Sequence, residues 1–175
     1  MPITSDLFKK YFNEILIETG SFEGHGIQAA LDAGFKTVYS IELSERFYNF
    51  CKNKFKDNPY VNLVFGDSSI MLKEVLKNIN SKCTIFLDGH FSGGETSKGL
   101  KNSPLIEELE AIKQHIIKNH IILIDDLRDW IISPDCDFNV DILKQKILEI
   151  NPKYKFIIED SPNFKQDILV GVVDE

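Results

Sequence analysis

The sequence predicts an α/β domain of the Rossmann-like, doubly wound class, its mostly parallel sheet closed by a C-terminal antiparallel hairpin. Three observations carry that prediction. Short continuous apolar runs alternate with helical patterns almost without interruption, and strands covered on both faces read as such runs. The segments between them are long enough for right-handed crossovers. The last two runs are joined by a polar stretch with no helical period, which leaves them an antiparallel pair. A chain of 175 residues, 43% hydrophobic and 27% charged, suits one core with little room for a second. Residues 1–175 are therefore read as one domain.

Each element has its own signal. The first strand is read at 14–18, ending in Glu18 before Gly20, and the second at 36–41, β-branched and aromatic, ending at Glu42. The third, 61–65, stops at Gly66-Asp67; the fourth, 83–87, stops at Asp88; the fifth, 121–124, stops at Asp125-Asp126. Between them, Ser44 is the expected N-cap of a helix carrying Phe47, Phe50, Cys51 and Phe55 at helical spacing. Met71, Leu72, Val75, Leu76 and Ile79 mark another helix. Ser103-Pro104 is a cap and first-turn pair leading into Leu105, Ile106, Leu109 and Ile112, with acids early. A later helix carries Ile142, Leu143, Ile147 and Ile150, and the closing strands are 154–158 and 168–173.

Composition narrows the function classes. Lys+Arg 20 against Asp+Glu 27 gives a formal net charge of −7, without the basic stripe that a phosphate-tracking protein shows, so nucleic acid is not the expected ligand. Cys51, Cys83 and Cys136 are odd in number and far apart, which argues against a disulfide framework and fits a reducing compartment. The start of the chain lacks the pattern of a secretory leader, and the apolar stretch at 116–124 is too short to span a bilayer. A cytoplasmic protein with no membrane partner is expected.

In doubly wound sheets, ligands bind beyond the carboxyl ends of the strands, at the switch point. Glu18, Glu42, Asp67, Asp88 and Asp125-Asp126 would line that edge as an acidic rim. The first loop, from Glu18 through Gly20, Ser21 and Gly24 to Gly26, lets the backbone approach a ligand and offers free N–H groups at the next helix. As a dinucleotide fingerprint it fits poorly, because Gly24-His25-Gly26 comes several residues after the strand.

Taken from Glu18, the segment resembles motif I of the class I S-adenosylmethionine-dependent methyltransferases, acid-x-Gly-x-Gly-x-Gly. Glu18, Gly20 and Gly24 match it, Phe22 replaces the middle glycine, and Glu42 and Asp67 match the acids after strands two and three. The variant spacing is similar to the metal-dependent macrocin O-methyltransferase and catechol O-methyltransferase-like branch, over roughly Ile15 to Trp130. The resemblance implies that Glu42 holds the ribose hydroxyls and that the Gly20–Gly26 backbone, with Ser21, surrounds the methionine part. It implies also that Glu18 helps hold the ammonium, and that Asp67 and Ser68 face the adenine.

The acceptor side follows from the next strands. Asp88, Asp125 and Asp126 should converge at one end of the cleft, where hard oxygen ligands suit Mg²⁺ or another divalent cation. In the resembled branch, acids at these places hold Mg²⁺, which chelates a substrate hydroxyl and lowers its pKa. Asp88, which also borders the cofactor, and His90 are the catalytic candidates, with His90 as base or accessory ligand. The 89–103 loop is expected to act as a lid, and Trp130 as a pocket wall or a core residue. His25 is expected to line the cofactor, and His115 and His120 to be structural or solvated. The expected activity is metal-assisted O-methyl transfer to a small hydroxylated acceptor such as a sugar, in a chain that can form a homo-oligomer. Alternatives are a non-catalytic cofactor-binding module and an NAD-dependent oxidoreductase.

Overall fold

The computed structural model describes residues 3–89, 103–128 and 139–174. Expectations placed on His90, on the interior of the 89–103 loop, on Trp130 and on Cys136 lie outside the described residues. The elements run α1 (Ser5–Lys10), β1 (Ile15–Thr19), α2 (His25–Ala33), β2 (Thr37–Glu42), α3 (Glu45–Lys54), β3 (Val61–Phe65) and α4 (Ser68–Leu76). They continue with β4 (Thr84–Leu87), α5 (Leu105–Gln114), β5 (Ile121–Ile124), α6 (Val140–Ile150), β6 (Tyr154–Glu159) and β7 (Ile168–Val173).

Seven strands form one sheet in the order β3-β2-β1-β4-β5-β7-β6. The first five are parallel; β7 runs antiparallel to β5 and to β6. The order reverses between β1 and β4, which places the switch point beside the loop after β1. The closing pair is antiparallel as expected, with β7 inserted between β5 and β6. Accordingly β7 is buried along most of its length while β6 is the exposed edge.

Successive residues of a strand point to opposite faces, and here both faces are covered. Ile17, Ile41, Ile85, Leu87, Ile122 and Ile124 pack with Leu72, Leu109 and Ile147 on one side. Leu16, Val38, Phe86 and Leu123 pack with Phe8, Ile27 and Ala30 on the other. That double coverage is why the central strands lack polar alternation.

Three local details refine the sequence reading. The short helix α1 carries no repeated apolar period, yet Thr4 caps it and Phe8 is fully buried edge-on against Phe35 and Phe86. Ser44 occupies the N-cap position of α3 but its side chain caps nothing; its amide donates to Glu42 instead. Helix α5 begins at Leu105, with Ser103 Oγ accepting from the Leu105 amide at 3.3 Å. Among the described residues, no helix is long and apolar enough to cross a membrane.

Candidate functional site

The loop after β1 turns back on itself through left-handed backbone. Gly20 takes φ 86° and donates its amide to Ile41 O at 2.9 Å. A Cβ on Gly20 would stand 2.6 Å from the carbonyl oxygen of Asp88, so this position needs glycine for space as well as for φ. Gly24, at φ 74°, forms the N-cap of α2, and a Cβ there would meet the Phe55 ring at 2.6 Å.

Phe22 stands where motif I carries its middle glycine, and it adopts a glycine-like φ of 45°. A left-handed non-glycine residue costs roughly 1–2 kcal/mol. Three contacts hold Phe22 there. Its amide donates to Glu42 Oε2 at 2.9 Å, its carbonyl accepts from the Cys51 thiol at 3.2 Å, and its ring lies 4.4 Å from that of Phe47. The departure from the motif therefore keeps the loop's backbone shape and adds an aromatic surface beside Glu42.

Glu42 ends β2 with two backbone donors, the Phe22 amide on Oε2 and the Ser44 amide on Oε1 at 2.6 Å. Glu18, two residues back in register on β1, is supported differently. It is 2% exposed and, among the described residues, accepts from the Ser40 hydroxyl, which is itself 2.6 Å from Ser21 Oγ. Burial, reinforced by the Glu42 charge and partly offset by the Ser40 hydrogen bond, pushes the Glu18 carboxyl up to about 8.

Asp67 is the N-cap of α4, accepting from the Ser69 amide at 2.9 Å and the Ser69 hydroxyl at 2.6 Å. Ser68, Thr19 and Glu108 meet at the turn after β4. A Cβ on Gly89 would lie 3.1 Å from Thr19 Oγ1, 3.2 Å from Ser68 Oγ and 3.3 Å from Glu108 Oε1. Asp88 is half-buried, its amide donating to Thr19. Burial, then the charges of Asp125, Asp126 and Glu18, hold its carboxyl well above the usual carboxylate range. Asp125 is shifted the same way, first by burial and then by Asp126.

Among the described residues, Asp125, Asp126 and Asp167 present carboxylate oxygens that all lie within 4.8 Å of one another. Asp126 takes φ 58°, with its amide donating to Asp125 Oδ1 at 2.8 Å. The Arg128 guanidinium bridges Asp126 and Asp167 and lies 4.1 Å over the Phe164 ring. The acids after β5 are thus tied to the β6–β7 connection by an internal cation.

Of the expected residues, Glu18, Gly20, Ser21 and Glu42 meet around the glycine loop, and Ser68 meets the Asp88-Gly89 turn. Asp88 feels Asp125 and Asp126 electrostatically without joining their cluster. His25 is exposed beside Glu23 at 3.3 Å. Sequence reasoning missed Glu108, Arg128 and Asp167. Glu108 falls on the stripe of Leu105, Leu109 and Ile112, and an acid on an apolar stripe was the available signal. Asp167 reaches the acidic end only because β7 is antiparallel to β5, and no local pattern announces that.

No protein-family profile matches this sequence, and no curated protein matches it. Solved structures match in fold. An SAH-bound methyltransferase of Podospora anserina has a TM-score of 0.64 at 17% identity, over 98% of this chain and 76% of that one. An O-methyltransferase from Bacillus cereus in complex with SAH has a TM-score of 0.68 at 13% identity, over 97% and 78%. A spermidine synthase from Thermotoga maritima has a TM-score of 0.65 at 10% identity, over 97% and 57%. At these identities the likeness shows the fold alone, a Rossmann-like sheet shared with these proteins.

Proposed function

We propose that this chain is an S-adenosylmethionine-dependent methyltransferase acting on the oxygen of a small hydroxylated acceptor. The observation that carries the reading is the pairing of the left-handed glycine loop with Glu42. The two backbone amides fix the Glu42 carboxylate in place and leave lone pairs for two vicinal hydroxyls. The Phe22 and Phe47 rings offer a flat apolar wall beside it, and Gly20 lets the ligand approach the backbone at the switch point. Fold neighbours with SAH bound lend support from outside the chain.

Methyl transfer from a sulfonium asks mainly for alignment of the acceptor, because the leaving group is already good. Asp88 and Asp125 border the region where an acceptor would lie. Their hard oxygen donors, each disfavouring the other's charge, fit a divalent cation. Asp125 and Asp126, which cluster with Asp167, would hold it, with Asp126 shared between it and Arg128 and with Asp88 flanking. Bound there, a cation would polarise an acceptor hydroxyl and lower its pKa. Without that help, Asp125, raised by burial and by Asp126 to about 7, can take a hydroxyl proton near neutral pH. In this reading His90 is an accessory base, Asp67 and Ser68 flank the adenine, and the protein works as a soluble cytoplasmic enzyme.

The test is a thermal-shift matrix with S-adenosylhomocysteine and NAD, each with and without Mg²⁺. S-adenosylhomocysteine at 100 times its Kd should add about 2.7 kcal/mol to stability, and Glu42→Ala should remove most of that shift. A shift with NAD alone would reject the methyltransferase in favour of an oxidoreductase. For the cation, exhaustive chelation should abolish turnover, as should Asp125→Asn. Unchanged turnover after chelation would remove the metal from the account.

A further inference from the structure

The sheet ends in two edge strands of different make. At one edge, β3 carries no charged residue. At the other, β6 reads Tyr154-Lys155-Phe156-Ile157-Ile158-Glu159 and, among the described residues, pairs with β7 alone. Its outer row of N–H and C=O groups is a template for a further strand. Apolar surface lies open along the same strand, with Ile157 39% and Ile158 44% exposed and Phe156 half-buried. Edges that stay single are commonly blunted by lysines, by proline or by a bulge. β6 contains no proline, and its register with β7 runs unbroken from Tyr154 to Glu159. Its one lysine is matched by an acid, because Lys155 and Glu159 stand at equal distance on either side of Ile157.

That symmetry makes the strand complementary to itself. Two copies of one strand can pair antiparallel about a two-fold axis, which sets one residue against its own counterpart. Centred on Ile157, the pairing sets Lys155 opposite the partner's Glu159, and Glu159 opposite the partner's Lys155. On the other face of the sheet, Phe156 falls opposite the partner's Ile158. Opposite charges and aromatic–β-branched pairs are the cross-strand neighbours that stabilise a sheet. A centre one residue away in either direction sets a charge of this strand against an isoleucine instead. The present partners of the two charges leave room for this. Lys155 pairs with Asp174 at the surface, its side chain 70% exposed. Lys10 and Tyr11 both donate to Oε1 of Glu159, which leaves Oε2 to accept from a further cation. We propose that β6 is the surface through which two copies of this chain pair, antiparallel about Ile157, so that one sheet runs through both. The contact closes on itself and stops at two copies instead of growing into a fibre. A contact built on six residues is small beside those of permanent dimers, so the pair should come apart on dilution.

Sedimentation velocity on the full chain, from micromolar to millimolar concentration, should show the 20.0 kDa monomer giving way to a dimer. Lys155→Glu sets acids opposite acids and should raise the dissociation constant about tenfold or more, as should Glu159→Lys. An equimolar mixture of those two variants should dimerise again, to within about threefold of wild type, because each strand then meets its complement. Asn62→Lys, on the opposite edge, should leave the dimer as it is. In the wild-type protein, the β6 amides turned away from β7 should exchange several-fold more slowly at high concentration than at low. A wild-type chain that stays monomeric at millimolar concentration overturns the proposal. So does a dimer indifferent to Lys155→Glu, or one lost through Asn62→Lys. So does a mixture that fails to dimerise while both variants melt as folded proteins. If Glu159→Lys does not fold, the exchange measurement decides in its place, and β6 amides indifferent to concentration overturn the proposal.

Discussion

The two ends of the sheet both bury polar groups, and they do so in opposite ways. At the amino ends of β4 and β5, a chain of hydrogen bonds closes on itself. His115 Nε2 donates to Ile79 O at 3.1 Å, so its Nδ1 accepts from His120 Nε2 at 2.8 Å, and His120 Nδ1 accepts from the Cys83 amide at 3.2 Å. Tyr154 donates its hydroxyl to His120 O at 2.7 Å, and Thr84 its own to Tyr11 O at 2.6 Å. Donors and acceptors match only when both imidazoles are neutral. At the carboxyl ends, acids face acids, and the backbone is left-handed at Gly20, Phe22, Gly24 and Asp126. One end is settled by its own atoms. The other holds charge and strain that a ligand can relieve, which is where function concentrates.

The contrast can be broken most severely at Gly20. Gly20→Ala places a methyl against the Asp88 carbonyl at a left-handed φ, and should cost about 3 kcal/mol of stability. It should also weaken S-adenosylhomocysteine binding by well over tenfold, as read by calorimetry beside a denaturant melt. His120→Ala attacks the other end. It leaves the buried Cys83 amide and His115 Nδ1 without their partner, at about 2–3 kcal/mol. Affinity for S-adenosylhomocysteine should stay within a factor of two or so, because the chain lies at the far edge of the sheet.

Changes of pH separate the ends by sign. Burial, then electrostatic interaction with neighbouring His115, Lys118 and Lys82, lowers His120 from 6.5 to about 4. The folded state therefore binds fewer protons than the unfolded one in that window, and stability falls as pH drops through it. Glu18 is raised from 4.5 to about 8, so its contribution is complete at low pH and is lost as pH rises through that range. Melting profiles across pH should show Glu18→Gln gaining several degrees over wild type above pH 8. His120→Ala should flatten the acid limb instead. The smallest effect is expected at Phe22→Gly. Relief of the left-handed φ, about 1 kcal/mol, offsets loss of the Phe47 ring contact, about 0.5–1.5 kcal/mol, leaving stability within about 0.5 kcal/mol of wild type.

Much of this was legible in the sequence. The apolar runs placed the strands to within a residue, because both faces of the sheet are covered and the runs are continuous. Glu18, Gly20 and Glu42 were readable because each sits at a strand end, where spacing and position coincide. The acceptor side was less legible. Asp125 and Asp126 were visible as a pair, but their partners Asp167 and Arg128 depend on the antiparallel insertion of β7, a long-range event with no local signature. Glu108 was hidden by its company: among helix N-terminal acids, only its place on the apolar stripe set it apart. The neutral histidine chain was likewise unreadable, since His115 and His120 look like loop residues until the strands bring Cys83 and Ile79 to them.

The central claim is that ligand binding belongs to the carboxyl ends alone. Amide hydrogen exchange with and without saturating S-adenosylhomocysteine tests it most directly. The account predicts added protection across the backbone from Thr19 to Ile27 and at Ser44, with none at Cys83 or from His115 to Ile121. Protection at the histidine chain, or no change in the glycine loop, would contradict it.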